Sequence, residues 1–310
     1  MIRGLAALGL LAALAVPILG TRDLVTATFF TWLYIVLALN CDLLGGFLGY
    51  MTLGQGAFFG LAAYLAVLLL NSGRLDALGP ADAPVAVAAS VAAAATVAAG
   101  FAYPLFRLSG AYFAMATFAM VLLIRHLILN LPDLTGGSYG VYVHPRHFLS
   151  LHLAYVLALV LLAGSLALNR ALARSRLGLA VAAIRDSEPA AAAIGLDLFR
   201  VKRRVLVLSA VPSALAGGVF ALQAGYIDVD AALGADKTLL PVIMALMGGS
   251  GHPAGPLVGG LLVRALDVVL KNYLRLTVPA LAVYGLLLLA IGLLRPQGVL
   301  HVRRRRPQPA

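Results

Sequence analysis

Charged residues are scarce in this chain. Only 11% of its 310 residues are charged, whereas 62% are hydrophobic. Soluble domains carry about 25% charged residues, so the composition excludes that class. Several apolar runs approach or reach the roughly 20 residues that a helix needs to cross a bilayer. None of them alternates as the strands of a membrane barrel do. The sequence therefore predicts an all-α, polytopic bundle of transmembrane helices.

Three further residue types are rare, and each rarity excludes a kind of site. Cys41 is the only cysteine, so no disulfide can form within the chain. None of the three lysines follows a glycine, so the Gly-Lys-Ser/Thr core of a P-loop is missing. Glu188 is the only glutamate, and no paired carboxylates or Ser-His-Asp set stands out. His144, His147 and His152 have no cysteine nearby with which to bind a metal. We expect a chain that is not an enzyme and holds neither cofactor nor metal.

Hydropathy predicts about ten spans, with a range of eight to ten, in a single transmembrane domain over residues 1–310. Residues 1–21 resemble a signal peptide but lack a clear cleavage site, so we expect a retained first helix. The eighth span is short and has Pro241 near its start, which favours a broken or re-entrant helix. The predicted spans are 4–20, 24–40, 54–70, 84–103, 111–129, 151–169, 205–225, 238–249, 256–270 and 277–294.

The basic residues predict the orientation of the bundle. With both termini in the cytoplasm, inner segments hold fifteen Lys and Arg residues and outer loops hold six. This places the loop 170–204 and the basic tail 295–310 in the cytoplasm. The net charge of +11 lies in loops and tail, as expected of anchors beside anionic lipid, so we expect no nucleic-acid partner.

The loop 170–204 carries eight of the 23 Lys and Arg residues and the only glutamate. Within it, Ser187 or Asp186 can cap a helix, Pro189 suits a first helical turn, and Gly195 suits the residue past a helix end. Such a segment is larger than topology requires and favours a grip on a soluble partner. The alternative is a solvated connection whose basic residues only enforce topology.

Two glycine-rich stretches, around residues 45–60 and 248–260, each lead into an apolar helix. They suggest an internal repeat, as many transporters have. Residues 46–64, GFLGYMTLGQGAFFGLAAY, resemble the segment G-Y-x-G-x-x-S-L-G-H-x-A-F-F-G-x-G-A-Y of branched-chain amino acid ABC transporter permeases of the LivM type. Residues 134–140, LTGGSYG, resemble the outer loop L-T-G-G-x-x-G of that family, and the loop 170–204 resembles its coupling loop.

This resemblance, over about residues 30–295, implies an ABC importer permease fold and a permease subunit in a bacterial inner membrane. It implies two cytosolic ABC ATPases that bind ATP and Mg, a second related permease, and a periplasmic substrate-binding protein. The coupling residues it implies are Arg185, Asp186, Glu188, Ala191 and Gly195. The candidate pathway residues are Thr52, Gln55, Gly54 and Gly56, although these glycines can equally serve helix packing alone.

Departures from the family pattern keep other functions open. Thr52 and Gln55 stand where the family usually has serine and histidine, and Tyr139 stands where aspartate is common. Asp42 is reminiscent of relatives that carry urea or short amides. An ion-coupled secondary transporter is an alternative of a different class, with Asp42 and Asp267 as its only buried carboxylates, but it leaves the charged loop unexplained.

Two basic residues fall inside predicted spans, where ionisable groups are costly. Arg264 and Asp267 are three residues apart on one helical face, so we expect them to neutralise each other. We expect Arg125 to reach the outer interface with its long side chain.

Overall fold

The computed structural model describes residues 20–272, together with Pro17 and Leu286. This part of the chain is almost entirely helical, as predicted. Apart from residues 17, 20 and 286, the first and tenth predicted spans lie outside the described residues, as does the basic tail 295–310. The elements are α1 (Arg22–Asp42), α2 (Gln55–Asn71), α3 (Asp82–Leu105), α4 (Gly110–Leu129), α5 (Pro132–Thr135), β1 (Val141–Tyr142), α6 (Leu151–Arg174), α7 (Arg176–Asp186), α8 (Glu188–Ala193), α9 (Leu198–Ala224), β2 (Tyr226–Ile227), α10 (Val229–Leu233), α11 (Asp236–Gly248) and α12 (Gly255–Asn272).

The predicted count of ten spans is not confirmed. Within the described residues, six helical segments are long and apolar enough to cross a membrane: Arg22–Leu48, Gly79–Leu105, Gly110–Leu129, Leu151–Arg174, Leu198–Ala224 and Val229–Gly248. Two further apolar helices, Gln55–Asn71 and Gly255–Leu266, are shorter than that. All eight overlap predicted spans, so hydropathy predicted where the helices lie but not how long they are.

The predicted break in the eighth span, 238–249, is not found, because residues 238–248 all lie within the continuous helix α11. The chain leaves the helical path between α10 and α11, and α11 then runs through Pro241 without interruption. A helix in a membrane tolerates proline where neighbouring groups satisfy the backbone that it frees.

Side chains close several helix starts. Ser150 accepts from the N–H of Leu153 at the start of α6, and Asp197 accepts from the N–H of Arg200 at the start of α9. Each cap satisfies one of the free N–H groups that every helix start exposes. The connecting loop predicted over 170–204 is shorter in the structure, because α6 and α9 extend into it from its two ends.

α9 forms the centre of the bundle, where it packs mainly against α2 and α3. Small residues make the approach possible, because a Cβ at Gly217 would overlap the backbone of Phe59. α11 and α12 meet equally closely, since a Cβ at Gly259 would overlap the carbonyl of Met244. Close backbone packing of this kind drives helix association in lipid, where burial of apolar surface gains little.

The bundle has two ends, defined by their contacts. At the loop end, Arg185 of α7 donates to the carbonyl oxygen of Gly46, just beyond α1. At the far end, β1 and β2 pair antiparallel and Asn71 donates to the carbonyl oxygen of Tyr142 at 2.8 Å. Both glycine-rich stretches have residues at the loop end, because Gly251 follows α11 and lies beside Gly46.

Candidate functional site

The short helix α8 forms where its sequence predicts it. Ser187 is the N-cap, and its hydroxyl accepts from the N–H of Ala190 at 3.4 Å. Pro189 lies in the first turn, where its missing N–H is not needed. Gly195 follows the helix with a φ of +83°, a left-handed conformation that favours glycine. The predicted start and stop of this helix are therefore confirmed.

Arg185 ties α7 to both glycine-rich stretches. Its guanidinium donates to the carbonyl oxygen of Gly46 and lies so close to Gly251 that a Cβ there would come within 2.8 Å of Nη1. Asp42, which is 1% exposed, accepts from the N–H of Gly251 at 2.9 and 3.1 Å. Gly46 belongs to a π-helical segment, Leu43–Leu48, which continues α1. We call these four residues the arginine anchor.

Glu188 ties α8 to the bundle through a second set of contacts. Lys202 of α9 donates to Oε2 of Glu188 at 2.7 Å and to the hydroxyl of Tyr50 at 2.6 Å. The Tyr50 hydroxyl in turn donates to Oε1 of Glu188. Lys202 is 4% exposed, and its ammonium lies 4.6 Å from the centre of the Tyr50 ring. We call these three residues the glutamate anchor.

The charges within the glutamate anchor compensate each other. Partial burial raises the pKa of Glu188, but the hydrogen bonds from Lys202 and Tyr50 outweigh it and lower the pKa below its ordinary value. The carboxylate is therefore ionised at neutral pH and balances the buried ammonium of Lys202.

The remaining predicted coupling residues face in different directions. Ala191 is buried at 2% exposure and belongs to the hydrophobic core, whereas Asp186 and Gly195 are exposed. Sequence reasoning missed two large apolar residues beside them, Leu179 and Ile194, which are 71% and 74% exposed. Both lie in short apolar runs, 177–184 and 190–198, and composition alone does not show which residues of a run face outward.

The four predicted pathway residues are all enclosed by other helices. Gln55 and Thr52 are 2% and 1% exposed. A Cβ at Gly54 would lie 3.1 Å from Cε of Met120, and one at Gly56 would lie 3.0 Å from Oγ1 of Thr238. The glycines thus serve close helix packing here, and a role in a substrate pathway stays a prediction.

Gln55 belongs to a set of buried neutral polar side chains at the contact of α1, α2, α6 and α9. Its Nε2 donates to the carbonyl oxygen of Asn40 at 3.2 Å and to Oγ of Ser209 at 3.3 Å. Its Oε1 accepts from Ser213 at 2.9 Å. Asn169 of α6 donates to the neighbouring carbonyl of α1 at 3.1 Å. We call Asn40, Gln55, Asn169, Ser209 and Ser213 the polar seam.

Two basic residues of the spans, Arg125 and Lys237, form ion pairs. Arg125 forms an ion pair of 2.7 Å with Asp230 of α10, rather than only extending to the outer interface. Lys237, counted from sequence among the outer loops, is 8% exposed and donates to Asp236 at 2.5 Å and to Tyr34 at 2.9 Å.

Of the two carboxylates on which ion coupling would depend, only Asp42 lies in the part whose side chains the structure describes. It is held by the N–H of Gly251. The side chain of Asp267, and hence its expected pairing with Arg264, lies outside that part.

An open recess of about 490 Å³ lies at the far end. Arg146 pairs there with Asp76 and donates through Nε to His147 at 2.9 Å. His147 also lies 3.4 Å from a carboxylate oxygen of Asp82. Among the described residues no group of three His, Cys, Asp or Glu side chains is placed to hold a metal ion. The lining residues are Leu70, Asn71, Gly73, Asp76, Tyr142, Val143, His144, Pro145 and Arg146.

The comparison with protein families matches the helical bundle and both glycine-rich stretches. The family described as "Branched-chain amino acid transport system / permease component" matches residues 6–292, which is most of the chain. The chain belongs to this family. The resemblance inferred from residues 46–64 and 134–140 is therefore confirmed, and it covers the bundle as a whole.

Two curated permeases are similar in sequence to nearly the whole of this chain. The chain is 28% identical to the high-affinity branched-chain amino acid transport system permease protein LivM of Escherichia coli, over 95% of this chain and 74% of that protein. It is 28% identical to the protein of the same name from Salmonella typhimurium, with the same coverage. A probable LivM protein of Methanocaldococcus jannaschii is 26% identical over 40% of this chain and 39% of that protein. No solved structure matches.

Proposed function

We propose that this chain is the membrane-spanning permease subunit of an ATP-driven importer for branched-chain amino acids in a bacterial inner membrane. Its family membership and the names of its LivM relatives support the substrate class. The observation that carries the coupling mechanism is the double anchoring of α7 and α8. Both helices are fixed to the bundle while their outer surface exposes Leu179 and Ile194.

Two cytosolic ABC ATPases are the proposed partners of this outer surface. Asp186, Gly195 and the two apolar side chains are all exposed, and a short helix with apolar residues fits a groove on another protein. ATP and Mg are then bound by those partners, since this chain has no Gly-Lys-Ser/Thr sequence.

The two anchors supply the path by which ATPase closure reaches the membrane. A push on α8 acts through Glu188 on α9, and a push on α7 acts through Arg185 on the π-helical end of α1. Both are contacts between rigid helices, so the expected response is a rocking of helices relative to one another. Thr52, Gln55, Gly54 and Gly56 lie near the resulting pathway.

The far end is the proposed outer side, in agreement with the distribution of basic residues. Its open recess, whose lining includes Asp76, His144 and Arg146, is the proposed place where a periplasmic binding protein delivers the substrate. A second, related permease completes the channel, and both termini of this chain lie in the cytoplasm.

Reconstitution tests this proposal. The chain is expressed with its neighbouring transport genes, purified in mild detergent, and placed in liposomes that contain ATP. We expect two P-loop ATPases and a second permease to co-purify, and labelled leucine uptake to require ATP and the binding protein. Unlabelled isoleucine and valine should compete, and urea or acetamide should not. A chain that purifies alone and transports without ATP would contradict the proposal and favour a secondary transporter.

A further inference from the structure

Asn40 is an anomaly in the core. The residue is fully buried, and neither atom of its side-chain amide has a hydrogen-bond partner among the described residues. An unpartnered buried polar group costs about 1–3 kcal/mol. A membrane interior offers no bulk water to reduce that cost. A free amide at this place therefore calls for a role other than stability.

The neighbourhood of Asn40 is polar throughout. Gln55 donates to the backbone carbonyl oxygen of Asn40 at 3.2 Å. Ser209 and Ser213, both on α9, form hydrogen bonds with the side-chain amide of Gln55. Asn169 donates to the carbonyl of Leu39, while its own Oδ1 has no partner in the described structure. These contacts lie where α1 passes from α-helix to π-helix, a transition that often marks functional sites.

The polar seam contains three of the buried atoms that lack a hydrogen-bond partner. Seven buried side-chain atoms lack a partner within the described residues, and three of them belong to Asn40 and Asn169. The other four are single atoms of Trp32, Tyr64, Ser165 and Thr238. Among the buried side-chain amides of the described residues, only that of Asn40 is entirely free, with two donor hydrogens and an acceptor.

We infer that the polar seam is a substrate-binding surface, closed in the present conformation, which takes a net-neutral head group with both donors and acceptors. Every seam residue is at most 2% exposed, so the surface must open before it binds. None of the five side chains is charged, and the free amide can both donate and accept. The zwitterionic head group of an α-amino acid meets this requirement, because its ammonium donates, its carboxylate accepts and its charges cancel.

The arginine anchor provides a route by which the seam opens. Asn40 lies two residues before Asp42, and Arg185 contacts the π-helical turn that follows. A displacement of α7 therefore moves the end of α1 that carries Asn40. The inference rests on the proposed import of branched-chain amino acids, of which it names the recognition residues.

The test is the variant Asn40→Leu in the reconstituted transporter. The amide makes no hydrogen bond, so its replacement by an apolar group of similar size should leave the thermal midpoint unchanged or raise it. ATP-driven leucine uptake at saturating binding protein should fall at least tenfold. If Asn40→Leu does not assemble, Asn40→Ala replaces it in the test, because the smaller alanine cannot crowd the neighbouring side chains.

Tyr64→Phe is the matched control, since it also deletes a buried polar atom without a partner but lies outside the seam. It should retain both stability and uptake. If the Asn40 variants took up leucine as fast as the wild type and the Tyr64→Phe control, the inference would be overturned. A loss of uptake that follows a loss of stability would also overturn it, because packing would then explain both. Absence of leucine uptake by the wild type would instead refute the proposed function.

Discussion

At the scale of single residues, the glycines of this chain fall into two groups. Gly217 and Gly259 have no room for a side chain, because a Cβ would overlap the backbone of a neighbouring helix. Gly100 and Gly164 have nothing within 4 Å of that position. Glycine content alone does not separate these groups, since both lie in apolar helices of similar composition.

Substitution by alanine should have opposite effects on stability in the two groups of glycines. Gly217→Ala should lower the thermal midpoint strongly and cost about 2–3 kcal/mol, because α2 and α9 must separate. Gly164→Ala should be neutral or stabilise by about 0.5–1 kcal/mol, since alanine favours helix and meets no atom. Thermal unfolding of the purified protein, followed by the fluorescence of Trp32, measures both. Equal midpoints for the two variants would show that the close contact at Gly217 does not limit stability.

The ion pair of Glu188 with Lys202 should make the stability of the fold depend on pH. Its pKa is lowered in the folded protein by Lys202 and Tyr50, so its pair with Lys202 stabilises the fold above the ordinary glutamate pKa of about 4.3. That contribution is lost as the pH falls through the lowered value.

The variant Glu188→Gln checks this. At pH 7 it should be less stable than wild type by about 1 kcal/mol, a value at the upper end for partly exposed pairs. The difference in thermal midpoint should shrink as the pH falls from about 4.3, where the carboxylate of the unfolded chain becomes protonated, through the lowered pKa of the folded protein. Asp197→Asn, which removes an exposed pair with Arg200, is the control and should show a smaller difference at pH 7. A difference independent of pH would contradict the ionic origin.

At the scale of elements, α8 is the helix whose start and end were predicted best from sequence. Caps, proline and glycine act over a few residues, so the start and stop of α8 could be predicted from local chemistry. The partners of Arg185 and Glu188 could not, because Gly46 and Tyr50 lie 139 and 138 residues away along the chain.

Gly195 tests the link between α8 and the proposed ATPases. Gly195→Ala should cost about 1 kcal/mol through its left-handed φ alone, because nothing lies within 4 Å of an added Cβ. We expect an uptake several-fold lower than wild type with unchanged membrane insertion. Gly195→Asn should retain more uptake, since asparagine tolerates this conformation better. Equal uptake by all three proteins would remove the predicted role of Gly195 in coupling.

At the scale of the whole molecule, the two ends of the bundle should face opposite sides of the membrane. Cys41, the only cysteine, is 2% exposed, so single cysteines introduced elsewhere report accessibility against a low background. Leu179→Cys lies at the loop end and Tyr139→Cys, at a residue 87% exposed, lies at the far end.

Labelling with an impermeant maleimide measures this orientation. In intact spheroplasts Tyr139→Cys should react, and Leu179→Cys should react only after the membrane is opened. The reverse pattern would place the charged loop outside and would refute ATPase coupling through α7 and α8.

The sequence by itself determined the class of the protein, its family, and the places of its helices. These follow from apolar runs, from scarce charge and from short motifs, all of which act locally or by composition. The tertiary structure alone decided which polar groups meet: Glu188 with Lys202 and Tyr50, Asp42 with Gly251, and Gln55 with Ser213. It also decided that Gly54 and Gly56 are packing contacts here and that the side-chain amide of Asn40 has no hydrogen-bond partner among the described residues. The physical reason is that hydrogen bonds and close contacts between helices depend on their relative rotation and depth, which no local pattern encodes.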